Sequence, residues 1–214
     1  MHGGEGRTFV AEKFPLSRFD PGIREQLNVY AEELLKWSKT YNLIGPCTRE
    51  ELFDRHFLDG VLLLDHWITR GKLADVGSGA GLPGMVLALL ADGVDEICLI
   101  ESRKKKVRFL NHVVQLLGLE KVKVFHGTAK HAGEKWGGRF DTVVSRGIGD
   151  LLYGGREALS LLPPGGTYLT FKGFNHQQEI QNFSQDKISS FFEVPRIVYA
   201  ETATGNRIVA LTKK

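Results

Sequence analysis

Residues 73–85 read LADVGSGAGLPGM: a short apolar run ends in an acid, Asp75, and is followed by glycines at 77, 79, 81 and 84 with Pro83 before the last. An apolar run closed by glycines reads as a strand turning into a helix, at the carboxyl edge where α/β sheets bind ligands. Glycine permits positive φ and lets a ligand approach the backbone, and the first N–H groups of the next helix are unpaired. One or two glycines would serve a tight turn alone. Three at alternate positions, followed by Pro-Gly, point to a ligand lying on the backbone.

The spacing narrows the ligand. A dinucleotide fingerprint would need its third glycine at position 82, where Leu82 stands, and no Gly-Lys-Ser/Thr follows to cradle a phosphate chain. Glu101 closes the next strand, about 20 residues on, where an acid accepts hydrogen bonds from a ribose diol. An adenosine without a phosphate chain fits these residues, and S-adenosylmethionine is such a ligand. Gly77, Gly79 and Gly81 would then admit it, Glu101 would take its ribose, and Asp75 would answer its ammonium, directly or through water.

Working outward, short apolar runs alternate with helical patterns after Gly71: KLADV, a helix over 82–91, EICLIE, a helix over 103–117, KVKVF, DTVVS, a helix over 150–162, and TYLTFK. That alternation predicts an α/β fold with a mostly parallel sheet covered by helices. The last two runs, SSFFEVPRIVYA and GNRIVALTKK, have no helix-length pattern between them and read as an antiparallel C-terminal hairpin, giving seven strands. Upstream, Ile23, Leu27, Tyr30, Leu34, Leu35 and Trp37 recur at helical spacing over 22–40. Thr48 and Glu51 then form a capping box before an apolar stripe of Leu52, Phe53, Phe57, Val61 and Leu64. The expected organisation is an N-terminal helical extension, 1–70, packed as one unit with a cofactor-binding domain, 71–214.

Composition bounds the function class. The 214 residues are 42% hydrophobic and 25% charged, with a formal net charge of +3, so charge distribution matters more than its total. The two cysteines, Cys47 and Cys98, form no CxxC pair, so no disulfide framework or zinc site is indicated and a reducing cytoplasm is expected. No apolar run reaches membrane-spanning length, and MHGGEGRTF lacks the apolar core of a signal peptide. Neither a metal nor a membrane is expected, and the chain is expected to be a monomer.

The words YNLIG, RHFLDG, DVGSGAGLPG, LIESRKKKVRFL, VVSRG, PPGGTYLTFKG and GNRIVALTKK stand in one order between Tyr41 and Lys213. In that order the chain resembles the bacterial 16S ribosomal RNA guanine-N7 methyltransferases once called glucose-inhibited division protein B. The resemblance implies a Rossmann-like class I methyltransferase fold, S-adenosylmethionine as cofactor with S-adenosylhomocysteine as product, and one guanine of 16S rRNA as target, in the 30S subunit or an assembly intermediate. By match to the family's positions, Gly77 and Leu82 border the methionine side of the cofactor. Thr128, Ala129 and Lys130 lie by the adenine, and Arg146 closes the site. Three positions depart from the family pattern: Gly60 for the usual Ser, Gly147 for Ala, and Lys130 for a frequent Glu.

Guanine N7 already carries a lone pair, so methyl transfer to it needs positioning rather than a general base. Arg146 can donate to guanine O6 or hold the cofactor carboxylate. Arg55, His56 and Asp59 share a helical turn, with Arg55 and Asp59 at ion-pair spacing. Spacing alone favours a capped helix with a packed histidine, whereas the resemblance implies that Arg55 and His56 face the cleft with Arg146. Asn42 reads equally as a helix cap or a substrate contact. Arg103, Lys104, Lys105, Lys106 and Arg108 form the densest basic cluster, at a helix N-terminus where cations oppose the dipole, so it reads as a phosphate-binding edge or as Lys106 and Arg108 folding back on acids such as Glu101. Lys172 would extend that RNA track, and Phe174 could stack a base while Phe171 packs in the core. Two other readings compete: a nicotinamide-dependent oxidoreductase, which lacks its third glycine here, and a non-catalytic RNA-binding regulator.

Overall fold

The computed structural model describes residues 13–67, 70–199 and 206–214. The first twelve residues of the predicted extension, and the ETATG stretch between the last two strands, lie outside the described residues.

Helix α1, Pro21–Tyr41, starts where Asp20 accepts a hydrogen bond from the Ile23 N–H at 3.0 Å and ends where Asn42 turns left-handed, φ 48°. Asn42 therefore serves as the helix cap. Thr48 and Glu51 close the predicted capping box at the start of α2, Arg49–Leu52. The expected single second helix is interrupted, however: one π-helical turn, Phe53–Phe57, separates α2 from α3, Leu58–His66.

Strand β1, Gly71–Val76, leads to α4, Gly84–Leu90; β2, Val94–Glu101, to α5, Lys104–Leu116; β3, Val122–His126, to α6, Ala129–Trp136. Then follow β4, Thr142–Ser145; α7, Leu151–Leu159; β5, Thr167–Lys172; α8, His176–Gln185; β6, Arg196–Tyr199; and β7, Arg207–Thr212. The seven strands order as β3-β2-β1-β4-β5-β7-β6, parallel except for β7, which runs antiparallel to both neighbours. The predicted fold class stands. The order reverses between β1 and β4, so the ligand crevice opens at the carboxyl ends of those two strands.

Two helices, α6 and α8, escape the sequence pattern. In α6 the buried positions are only Ala129 and Ala132, and α8 buries His176 and Phe183 among glutamines and asparagines, so neither shows an apolar stripe. Of the SSFF stretch, Ser189–Phe191 belong to a 3-10 turn, Lys187–Phe191, while Phe192 makes an isolated antiparallel bridge to Lys213.

Side chains of β1 alternate between two cores. Leu73 joins one built with α1, α3, α4 and α5, while Ala74 and Val76 join one built with α6, α7 and α8. Leu27, Tyr30, Phe57 and Leu63 of the N-terminal helices share the first core with Met85, Val86 and Leu110.

Candidate active site

Three of the predicted glycines adopt left-handed backbone in the β1–α4 loop: Gly77, φ 67°; Gly79, φ 60°; and Gly81, φ 93°. A Cβ on Gly77 would also meet Ile148 at 2.5 Å, and one on Gly81 would meet Met85 at 2.9 Å. Side chains from three elements pin this loop. Asp75 Oδ2 accepts the Gly84 N–H at 2.9 Å, Glu101 Oε2 accepts the Gly79 N–H at 2.9 Å, and the Tyr30 hydroxyl donates to the Ala80 carbonyl at 2.8 Å.

Asp75 was expected to answer a ligand's ammonium. Its carboxylate is wholly buried beneath the loop, where desolvation pushes its pKa to about 7 against the Gly84 hydrogen bond, and Oδ1 has no partner among the described residues. Asp75 thus holds the loop from below through Oδ2, with Oδ1 left unengaged. Glu101 also bonds the Arg103 N–H at 2.7 Å, yet each of its oxygens keeps a lone pair for a ribose hydroxyl.

Beside the loop, a cavity of about 120 Å³ is lined by Gly77, Ile100, Ser102, Thr128, Ala129 and Ile148, among others. Its apolar walls and polar rim suit the ring of an adenosine, and Thr128 also caps α6 by accepting the His131 N–H. Lys130 is exposed and does not line this cavity, and Leu82 is buried in the first core.

Across the loop, the π-helical turn and the start of α3 bring His56 and Asp59 to Arg146 at the end of β4. Arg146 Nη1 donates to Asp59 Oδ2 at 2.8 Å and Nη2 donates to His56 Nδ1. Burial raises the Asp59 pKa to about 6 against the pull of Arg146. Burial, and then the Arg146 charge, depress His56 to about 4, so the ring is neutral at pH 7 and accepts at Nδ1. Asp59 was not among the expected site residues, because its i,i+4 spacing assigned it to Arg55. Arg55 does not join the cluster: it is exposed and pairs with Glu51 at 3.6 Å.

The basic cluster lies at the same edge. Arg103, Lys104, Lys105 and Arg108 are exposed, Lys106 is half-buried beside Gly79, and none of the five forms an ion pair among the described residues. The alternative in which Lys106 and Arg108 fold back onto acids is not realised. Lys172 requires a correction: it is only 5% exposed, donates to the Gly149 carbonyl and pairs with Glu179 at 3.0 Å, so it ties the loop after β4 to α8 and offers nothing to an RNA backbone. Phe171 is core, and Phe174 is 81% exposed.

The family model described as rRNA small subunit methyltransferase G, or GidB, matches residues 23–207. The chain belongs to this family. It is 33% identical to the ribosomal RNA small subunit methyltransferase G of Mycoplasma capricolum, covering 90% of this chain and 83% of that one. With the protein of the same name from Magnetococcus marinus it shares 31%, covering 91% and 89%. Among solved structures, a tRNA methyltransferase from Aquifex aeolicus superposes with a TM-score of 0.58 at 15% identity, covering 73% of this chain and 68% of that one, which shows the common fold.

Two of the three positions expected to differ from the family's usual residues have local consequences. A Cβ on Gly60 would lie 2.5 Å from Val86, so the absence of a side chain at 60 makes room for the branched one on α4. Gly147 has open space around it but φ 68°, a conformation that an alanine would strain. The third, Lys130, is the exposed residue already described.

Proposed function

We propose that this chain methylates N7 of one guanine of 16S rRNA, with S-adenosylmethionine as donor and S-adenosylhomocysteine as product. The family match over residues 23–207 carries this reading, and the geometry at Arg146 supports it.

Glu101 would hold the ribose, the cavity at Thr128 and Ala129 the adenine, and the backbone at Gly77 the methionine side. The bound cofactor supplies a methyl group on a positively charged sulfur. Everything else falls to the chain's own residues. The guanidinium of Arg146 has five N–H groups, of which Asp59 and His56 take two. The remainder can donate to guanine O6 or to a cofactor carboxylate while leaving N7 free. His56, neutral and already bonded, fixes the arginine rather than accepting a proton from substrate. The buried Asp59 balances the arginine's charge as positive charge passes to the purine, so the polar wall is set before the reaction begins.

The substrate particle would be the 30S subunit or an assembly intermediate, met by a monomer in the cytoplasm, with the exposed residues from Arg103 to Arg108 on its phosphates. Tritium transfer from labelled S-adenosylmethionine to 30S subunits of cells lacking this protein tests the reading. Label is expected in 7-methylguanosine and is expected to vanish in Arg146→Lys, which keeps charge but not the fork. Label in another nucleoside, or none despite measurable cofactor binding, would refute it.

A further inference from the structure

Helices α1 and α5 pack antiparallel. Gln26 reaches the Leu117 carbonyl at 3.4 Å, Trp37 stacks on His112 at 5.2 Å, and Lys105 Nζ lies 5.8 Å from the Tyr41 ring centre. The end of α1 therefore stands beside the start of α5, on the edge that carries the glycine loop and the basic cluster. After Asn42 the chain folds back along α1 until Arg49 bonds Asn28. Between the returning segment and the last two turns of α1 opens a cavity of about 470 Å³, against about 120 Å³ at the adenine end of the cofactor site.

This cavity has the chemistry of a base-binding pocket. Leu35, Ile44 and Cys47 give it apolar walls, while Lys39 and Asn42 lie at its exposed rim. Ser38 lines it too, and the Ser38 Oγ is buried with no hydrogen-bond partner among the described residues. Such a hydroxyl costs free energy unless a partner arrives. The returning segment runs on from Cys47 into α2 and the π-helical turn, where Arg55 pairs with Glu51 and the next residue, His56, bonds Arg146.

The geometry points to a second nucleotide site: the cavity takes an unpaired base of the RNA that carries the target guanine, with the Ser38 hydroxyl on the base edge and Lys39 and Lys105 on the adjoining phosphates. This rests on the reading of the substrate as rRNA. The volume falls within the roughly 300–1,000 Å³ of ligand pockets, and single-stranded RNA is recognised by splaying bases into apolar slots with polar edges. Lys39 at the rim and Lys105 beside Tyr41 favour a polyanion as the occupant's backbone.

The test uses 30S subunits whose 16S rRNA contains 4-thiouridine, taken from cells lacking this protein, irradiated with the full chain and mapped by mass spectrometry. Crosslinks are expected in the peptide spanning residues 38–47. Gly45→Trp should abolish them, because a Cβ there meets nothing within 4 Å and the indole can fill the mouth. The same variant should raise the KM for 30S about tenfold, while the Kd for S-adenosylmethionine stays at the parent value. Ser38→Ala, which removes only a hydroxyl, should raise that KM about threefold and serves if the tryptophan variant does not fold. Crosslinks confined to other peptides or made by a ribosomal protein at 38–47, together with an unchanged KM in both variants, would overturn the second site and leave the methyltransferase reading intact. A parent protein that binds cofactor yet forms no 7-methylguanosine would overturn both.

Discussion

Tyr30→Phe isolates one oxygen atom that joins the N-terminal helices to the glycine loop. The Tyr30 ring is fully buried and stacked on Phe57, with centroids 4.9 Å apart and planes 9° apart, and phenylalanine keeps that packing. Only the 2.8 Å hydrogen bond to the Ala80 carbonyl is lost. Ala80 is itself buried, so its oxygen is left unpaired at a cost of about 1–3 kcal/mol. For a chain of this length that lowers Tm by roughly 2–8 °C. Because Ala80 sits between Gly79 and Gly81, the loop also loses a restraint, and affinity for S-adenosylhomocysteine by calorimetry should weaken about three- to tenfold, some 0.7–1.4 kcal/mol. Alkaline melts give an independent check. Burial, and then the Asp75 charge, hold the Tyr30 phenol well above 10, so the folded protein keeps a proton that the unfolded chain gives up. Stability from this group is complete below pH 10 and lost as pH rises beyond it, and Tyr30→Phe removes that part of the loss. A variant with the parent's Tm and cofactor affinity would show that Tyr30 is only a core ring.

Lys104→Gln should lower the slope of log affinity for RNA against log salt by about 1, whereas Lys172→Met should leave the slope alone and destabilise the fold by about 1–3 kcal/mol through its lost bonds to the Gly149 carbonyl and Glu179. Parallel salt titrations and urea melts of the two variants check this, and an equal change of slope in both would return Lys172 to the RNA surface. Gly84→Ala places a Cβ 2.5 Å from both Asp75 Oδ2 and Leu99 Cδ2, and should cost several kcal/mol in thermal melts. Asp59, with its pKa near 6, should impose an acid limb on kcat/KM, the rate falling as pH drops through about 6 and Arg146 loses its counter-charge. Asp59→Asn should lower the rate at pH 7.5 and flatten that limb, and an unchanged limb would assign it to another group.

The parallel sheet was legible because its strands are apolar on both faces and are separated by helices with strong stripes, as in α5 with buried Val107, Phe109, Leu110 and Val113. Helices α6 and α8 were not, since two alanines in one, and a histidine and a phenylalanine in the other, bury too little apolar surface to stand out. The glycine loop was readable from spacing, but the hydrogen bonds of its two acids to the Gly84 and Gly79 amides were not, since they depend on how the loop folds back over β1 and β2. Likewise Lys172 is basic in the sequence and structural in the fold, because its partner Glu179 lies on a helix the pattern did not reveal. The π-helical turn left no trace at all. It decides whether Asp59 meets Arg55 or Arg146, and residue spacing assumes a regular helix.

Three contacts tie the N-terminal helices to the glycine loop and to Arg146. Tyr30 pins the loop at Ala80, and His56 and Asp59 hold Arg146 from the far side of the crevice. None of the three is near the glycines in sequence, and all sit on elements whose apolar residues share one core with α4 and α5. Packing and polar contacts therefore reinforce each other. The buried stripe of α1 fixes where the Tyr30 hydroxyl falls, and the packing of Phe57 and Leu63 fixes the height of Asp59 opposite β4. A methyl displacement that needs no proton transfer depends on alignment, which a misplacement of about 1 Å degrades. A rigid core bridging both walls of the crevice supplies that alignment, and through His56 and Asp59 it holds Arg146 at the end of β4.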